Sequence, residues 1–404
     1  MPFAVHVLGL AVFAQGTSEF MLSGLLSDIA GDLHVSLSAA GLLTSAFAVG
    51  MVVGAPLTAL TGRAWPRRRA LLFFLGVFVA VHVAGALAAD YGVLLATRVV
   101  GAFANAGFWA VALVTATDLA GPERRARATA VVVGGVTVAC VVGVPAGAVL
   151  GELWGWRSAF WAVALVSVPP AFALLRAVPG GRPGDRDVPL LSARTELSAL
   201  VRPRLLLTLL VMALVQGATF CTFSYLEPLV TRVTGLGAGW VPVVLALFGV
   251  GSFAGVTLAG RLADTRPKTV IGLGTAGLTA GWAALALTAG HPVAALALVL
   301  LQGALAFGTG TALIARVFQQ APEAPTLAGS FATAAFNVGA ATGPWLGGLA
   351  LGAGLGFRAP VWVSALLMGA ALAAAAVLRS SEPSAAGVRV RVRLRARRRP
   401  APER

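Results

Sequence analysis

Residues 15–20 of this chain read Gln15-Gly16-Thr17-Ser18-Glu19-Phe20 and lie inside an apolar run from Phe3 to Leu26. Glu19 is the single formally charged residue of that run, which is long enough to cross a bilayer as a helix. Because a carboxylate at membrane depth is costly, it usually faces a protein interior or a water-filled path. Helical spacing places Gln15 and Ser18 on the face of Glu19. The stretch therefore predicts a proton-binding helix, unless Glu19 only hydrogen-bonds a neighbouring helix.

The composition is that of a membrane protein with many spanning helices. Of 404 residues, 58% are hydrophobic and 11% are charged, and the mean hydropathy is +0.88. A typical soluble domain has about 25% charged residues. The first run has no basic segment before it and no small-residue cleavage site, so we expect a retained helix rather than a signal peptide. Both cysteines, Cys140 and Cys221, lie in apolar segments and are expected to be small fillers, without a disulfide or a metal.

Twelve apolar runs of spanning length predict an all-α membrane protein of twelve transmembrane helices in two six-helix bundles. We expect an N-terminal bundle over residues 1–178, a cytoplasmic linker over 179–203, a C-terminal bundle over 204–379 and a basic, disordered cytoplasmic tail over 380–404. The predicted helices are 3–26, 38–60, 70–89, 92–117, 128–151, 158–177, 204–230, 238–260, 269–289, 293–315, 326–350 and 359–378.

The basic residues are distributed unequally between the two sides of the predicted bundle. Of 30 Lys and Arg residues, 26 fall on the side of the chain termini, three on the other side, and Arg98 lies inside the fourth run. The positive-inside rule then places both termini in the cytoplasm of a multi-pass plasma-membrane protein. The net charge of +15 reports topology in this interpretation, and no nucleic-acid partner is expected.

The two halves of the sequence repeat with an offset of 201 residues. Gln15-Gly16 matches Gln216-Gly217, Gly50 matches Gly251, and Trp161 matches Trp362. Both halves begin on the same side of the membrane, so the repeat is parallel, as in transporters whose halves rock about a central site. The repeat also exposes an asymmetry, because Phe220 stands opposite Glu19 and Val299 stands opposite Arg98. We therefore predict that Glu19 and Arg98 form a proton-coupling pair in the first half, although Arg98 could instead be a fixed ion-pair partner or a snorkelling side chain.

Three motifs resemble the major facilitator superfamily. The loop after the eighth run reads Gly260-Arg261-Leu262-Ala263-Asp264-Thr265-Arg266-Pro267-Lys268, which is similar to the family's cytoplasmic-loop motif. In the first half the same offset places Arg63 in the acidic slot, followed by Arg67. The resemblance implies that Asp264, Arg261, Lys268, Arg63 and Arg67 form a conformational latch, whereas a simpler interpretation is that these charges only anchor the topology.

The fifth run carries Gly143-Val144-Pro145-Ala146-Gly147. Small residues allow close helix approach and proline removes a helix hydrogen bond, so Gly143, Pro145 and Gly147 predict a hinge. The motif resembles that of the drug:proton antiporter branch of the superfamily. Together with Gly16–Met21 and the run Leu95–Ala102, it makes the chain similar to the chloramphenicol-resistance exporters.

The remaining polar and aromatic residues of the runs suit a cavity for a neutral amphipathic solute. The predicted cavity residues are Gln15, Ser18, Asn105, Phe108, Trp109, Gln216, Phe220, Tyr225, Phe336 and Asn337. No nucleotide-binding motif or metal-ligand cluster is present, so we expect a proton gradient to drive transport, with no cofactor, no metal and no enzymatic chemistry. The expected partners are a small-molecule substrate, protons and the lipid bilayer, and the chain is expected to be a monomer.

The resemblance implies proton-coupled export of a small drug, chloramphenicol first, with antibiotic resistance as the outcome. An alternative is export of a sugar or nucleoside-like metabolite by the same fold. A third alternative, from another class, is a membrane sensor or scaffold that has lost transport.

Overall fold

The computed structural model describes residues 2–61, 65–178, 202–263, 266–321 and 325–380. Within these ranges the chain forms helices and no strands. Helix formation follows from the apolar runs, since a backbone in hydrocarbon must satisfy its polar groups internally. The helices are α1 Phe3–Phe20, α2 Leu26–Asp32, α3 Leu37–Thr61, α4 Arg67–Ala86, α5 Tyr91–Ala120, α6 Arg125–Val138, α7 Val144–Trp154, α8 Arg157–Ala177, α9 Pro203–Ser224, α10 Leu226–Arg232, α11 Val241–Ala263, α12 Pro267–Thr288, α13 Pro292–Gln320, α14 Pro325–Gly352 and α15 Ala359–Ser380.

Eleven stretches within the described residues are long and apolar enough to cross a membrane. Helix α14 occupies the twelfth predicted run, 326–350. The predicted twelve-helix class is confirmed, but three predicted runs are not continuous α-helices. Run 3–26 changes at Met21–Gly24 into a 3₁₀ turn, and run 204–230 breaks at Tyr225. The apolar pattern missed both breaks because apolar residues continue through them.

The third interruption lies in the fifth run, where a π-helical turn over Ala139–Gly143 joins α6 to α7. This turn directly precedes Pro145, whose ring cannot donate a backbone hydrogen bond. A Cβ on Gly143 would overlap Thr17 of α1, and one on Gly147 would lie 3.4 Å from the Cβ of Met21. The predicted hinge residues therefore mark an irregular helix that packs closely along α1.

The internal repeat is visible in the packing of the two halves. We call residues 2–178 the N half and 202–380 the C half. Gly50 of α3 packs against Val99, and Gly251 of α11 packs against Leu300, which is 201 residues beyond Val99. The buried cores follow the same division, since one cluster contains residues 4–178 and another contains mainly C-half residues. The predicted linker boundary at 179–203 falls almost wholly outside the described residues.

The halves meet along α3 with α14, and along α11 with the π turn and α7. We call the end of the molecule that carries α2 and α10 the α2 end, and the opposite one the terminal end. At the α2 end Ser27 donates a hydrogen bond to Glu227 Oε2, and Ser38 Oγ donates to the carbonyl of Gly348 over 2.6 Å. Tyr225 is buried there, beside Gly41 of the N half and Gly347 of the C half. The two halves are therefore closed against each other at the α2 end.

Candidate proton-coupling and transport site

Arg98 and Ser18 form the centre of the candidate site. Arg98 is 2% exposed on α5, and its guanidinium donates to Ser18 twice, from Nη1 to Oγ over 2.9 Å and from Nη2 to the main-chain oxygen over 3.0 Å. Because α1 ends at Phe20, the Ser18 carbonyl belongs to the last turn, where helix carbonyls lack intrahelical partners. A cation there also stabilises the negative end of the helix dipole. The ring of Phe47 lies 4.4 Å from the Arg98 guanidinium carbon and covers its face.

His82 of α4 extends this network into the N half. Its Nδ1 lies 2.6 Å from the carbonyl of Phe78, and its Nε2 lies 2.7 Å from Ser18 Oγ. A carbonyl only accepts, so Nδ1 carries the hydrogen and Nε2 of a neutral imidazole accepts from the Ser18 hydroxyl. The hydroxyl oxygen in turn accepts from Arg98. The result is a directed chain in which Arg98 donates to Ser18 and Ser18 donates to His82.

Glu19 is the residue after Ser18 and is only partly buried. It interacts electrostatically with Arg98, but among the described side chains no direct ion pair joins the two. Ser18 takes two of the guanidinium hydrogen bonds instead, so the carboxyl of Glu19 stays available to exchange a proton. The sequence predicted that these two residues cooperate, and the structure adds that Ser18 lies between them.

Phe20 carries the site to the C half. Its ring centroid lies 5.4 Å from that of Phe220 and 6.2 Å from that of Phe223. Phe223 continues to Phe248 of α11 at 4.7 Å. An aromatic cluster therefore joins the halves one residue after the candidate proton site, and a change at Glu19 is positioned to affect the contact between the halves.

Two predicted cavity residues have buried polar atoms without a partner. Gln15 is fully buried and both atoms of its amide group lack a hydrogen bond. Asn105 is also fully buried; its Nδ2 contacts the sulfur of Met51 at 3.5 Å, while its Oδ1 has no partner. Buried polar groups are nearly always satisfied, so these amides are candidates for contact with a solute or water.

The other predicted cavity residues are distributed more widely. Phe108 is fully buried in the N-half core with Trp109 packed against that core, and Phe336 packs against the C-half core. Asn337 donates to the carbonyl of Thr333 in its own helix over 3.0 Å. Gln216 is partly buried on α9. Tyr225 lies in the closed α2 end, and its hydroxyl donates to the carbonyl of Pro344 over 2.9 Å.

The predicted latch is only partly described. Arg63 and Asp264 lie outside the described residues, as does the side chain of Arg261. Arg67 forms an ion pair with Asp118 over 2.7 Å, which joins the beginning of α4 to the end of α5. Lys268 is exposed at the start of α12. Sequence analysis did not propose Asp118 as a partner, because the family motif directs attention to the loop before α4.

His82 is the main site residue that the sequence analysis missed. It lies in an apolar run with no charged neighbour, so the default functional interpretation of ionisable residues at membrane depth would have selected it. Scattered histidines do not make a metal site, and the described residues hold no group of three or more His, Cys, Asp or Glu side chains placed for a metal ion.

A family model described as the Major Facilitator Superfamily matches residues 8–324 and 228–401. The chain is 52% identical over 380 residues to a chloramphenicol resistance protein of Streptomyces lividans, covering 94% of this chain and 97% of that protein. It is 35% identical over 370 residues to the inner membrane transport protein YdhP of Escherichia coli K12, covering 92% and 94%.

A solved structure of a bacterial homologue of the human lysosomal transporter Spinster, inward-facing and unoccupied, has the same fold. The TM-score is 0.74 at 18% identity, over 93% of this chain and 95% of that one. Twelve helices in two repeated halves, the family-model match and a close full-length relative agree: the chain is a membrane transporter, not an enzyme, and belongs to the major facilitator superfamily.

Proposed function

We propose that this transporter exports a small amphipathic drug in exchange for protons, with chloramphenicol as the first cargo to test. The observation that carries the proposal is the arrangement of Glu19, an acid beside the directed chain Arg98–Ser18–His82 and next to the aromatic contact between the halves. The resemblance to a protein named for chloramphenicol resistance supports the choice of cargo.

In the proposed cycle Glu19 exchanges its proton with the cargo. Desolvation favours the neutral carboxyl, whereas the nearby Arg98 favours the charged one. Because Arg98 is held by Ser18, its charge stays fixed while Glu19 titrates. Protonation and cargo occupancy then compete for one site, and this competition couples the two fluxes as the halves rock between two orientations.

The proposal includes the orientation and setting of the chain. The terminal end faces the cytoplasm of the plasma membrane, as the distribution of Lys and Arg predicts. The α2 end, closed in this structure, then faces outward. The chain works as a monomer, and a proton gradient drives it with no cofactor.

A second candidate cargo is a sugar or nucleoside-like metabolite. The observation in its favour is the set of unpartnered amide atoms on Gln15 and Asn105, which suit a solute with several hydroxyls. Drug resistance in the absence of protection against metabolite overload separates the first cargo from the second.

The decisive measurement is drug accumulation in a sensitive host that expresses the chain, with and without a protonophore. Export predicts low accumulation that rises when the proton gradient collapses. The matched control is Glu123→Gln, which neutralises an exposed acid outside the candidate site. Unchanged accumulation across a panel of drugs and metabolites would exclude drug export.

A further inference from the structure

The C half contains a cationic pocket at its terminal end, away from the contact between the halves. The pocket encloses about 860 Å³ between the beginnings of α9 and α12 and the ends of α13 and α15. Four of its lining residues are cations, namely Arg202, Arg204, Lys268 and Arg316. Lining residues far apart in sequence thus place four positive charges around one space.

Other groups at the pocket also favour an anion. Helices α9 and α12 begin at Pro203 and Pro267, so the positive ends of two helix dipoles lie at this end of the C half. The Oε1 atom of Gln320 accepts from Thr208 over 3.0 Å, while its Nε2 atom is buried without a partner among the described residues. The amide therefore offers N–H groups beside the cations.

A second, apolar space begins where the pocket ends. It encloses about 450 Å³ along α12 and α15, and Lys268 lines both spaces. Its other walls include Gly272, Ala276 and Leu372. Leu273 at its side is 70% exposed, as expected for a surface that faces lipid. From Lys268 to Ala276 the groove runs roughly 12 Å along the helix, at about 1.5 Å per residue.

We propose that this paired pocket and groove binds one anionic phospholipid of the surrounding leaflet. The headgroup phosphate lies among the four cations, and an acyl chain follows α12 along the groove. Basic pockets between transmembrane helices at the cytoplasmic side suit such headgroups. A soluble anion would leave the groove unused, and a transported cargo would not enter a space on the outside of one half.

The bound headgroup would connect elements that are distant in sequence. Arg202 and Arg204 lie at the beginning of α9, directly after the predicted linker, whereas Arg316 lies near the end of α13. One phosphate between them would fix the beginning of the C half against its own bundle. This inference does not depend on which cargo the transporter carries.

The first test uses the purified full chain in detergent and native mass spectrometry. The probes are phosphatidylglycerol, phosphatidylcholine and inorganic phosphate. We expect a retained phosphatidylglycerol adduct and none of comparable strength with phosphatidylcholine. Equal retention of phosphatidylcholine, no retained lipid, or inorganic phosphate binding as tightly as phosphatidylglycerol would each overturn the proposal.

The second test assigns the site. Arg204→Gln with Arg316→Gln should weaken phosphatidylglycerol binding roughly 10-fold or more. The matched control is Arg124→Gln with Arg125→Gln, which removes two exposed cations of the N half. Ala276→Phe should fill the groove and weaken binding severalfold, whereas Ala297→Phe changes an exposed α13 residue outside it. Equal loss in either control would show unspecific association and overturn the assignment.

Discussion

The guanidinium of Arg98 holds Ser18 at two points, its hydroxyl at 2.9 Å and its main-chain oxygen at 3.0 Å. The helix ends two residues later, at Phe20. One cation therefore fixes both the position of the candidate proton site and the end of the helix that carries it. The neighbouring acid, Glu19, is not consumed in an ion pair, and this leaves it free for proton exchange.

Glu19→Gln should retain binding of a neutral drug but lose uphill export. The amide keeps the shape of the protonated carboxyl and cannot release a proton. We expect the export rate to fall at least roughly 100-fold, the lower range of a lost acid–base group, while Glu19→Asp keeps partial transport. The measurement is drug movement against a gradient in everted vesicles, with binding measured separately. Native-rate export by Glu19→Gln would move the coupling site elsewhere.

Ser18→Ala should destabilise the protein and slow export together. The change removes the hydroxyl that accepts from Arg98 and donates to His82, leaving buried groups unsatisfied at about 1–3 kcal/mol each. The control is Ser167→Ala, since the buried Ser167 hydroxyl bonds only within its own helix, to the carbonyl of Val163. Thermal unfolding in detergent and export assays report the two effects. A Ser18→Ala protein as stable as Ser167→Ala would show that the chain of hydrogen bonds contributes little.

Gly41→Ala should disfavour the closed α2 end. A Cβ at Gly41 would overlap the hydroxyl of Tyr225 and lie 2.7 Å from its Cζ, and that ring is buried and bonded to Pro344. Spin labels at Gly31→Cys and Ala238→Cys, both exposed, measure the distance between the halves. We expect longer distances in Gly41→Ala and partial recovery when Tyr225→Phe is added. Gly76→Ala, where a Cβ meets nothing within 4 Å, is the control; a shift of equal size there would contradict the contact.

Closure at the α2 end should strengthen as the pH falls. Burial raises the pKa of Glu227 above its usual range, and the charge of Asp28 on α2 raises it further, while hydrogen bonds from Ser27 and Thr231 oppose this. Burial, then the charge of Glu152, likewise raises the pKa of Asp28. Charged Glu227 is therefore disfavoured in the closed arrangement relative to a hydrated one. The stabilisation of closure grows on acidification from neutral pH and levels off below the ordinary carboxyl pKa of about 4.3.

The same spin-label pair measures this pH dependence. Glu227→Gln should keep the halves closed and flatten the response between neutral and acidic pH. Glu123→Gln, at the terminal end, should leave the response intact. If closure weakened on acidification in the native chain, the sign of the coupling would be reversed.

Much of the fold could be predicted because each apolar run and each repeated glycine carries its own signal. The match of Gly50 and Gly251 predicted equivalent packing, and the structure places them against Val99 and Leu300. Glu19 and Arg98 were found because a charge at membrane depth is conspicuous. Their separation by Ser18 was not predictable, since it depends on where α1 ends, and apolar residues continue past that point.

Tyr225 shows the other limit. Its polar group and aromatic ring fit a cavity residue as well as a contact residue, and the sequence favoured the cavity. Its position follows from three glycines, Gly41, Gly347 and Gly348, which come from both halves and leave room for one ring. Pairings of this kind depend on the tertiary arrangement, which no single run encodes.

The π turn over Ala139–Gly143 has a consequence for how this chain can change in length. Deleting one residue there would restore an ordinary α-helix and rotate everything after it by roughly 100°, since a residue occupies 1/3.6 of a turn. Gly147 and Gly151 would then no longer face Met21 and Leu25 of the first run. Exchange of side chains in this turn is compatible with the fold, whereas insertion or deletion of a single codon would misalign one wall of the transport path.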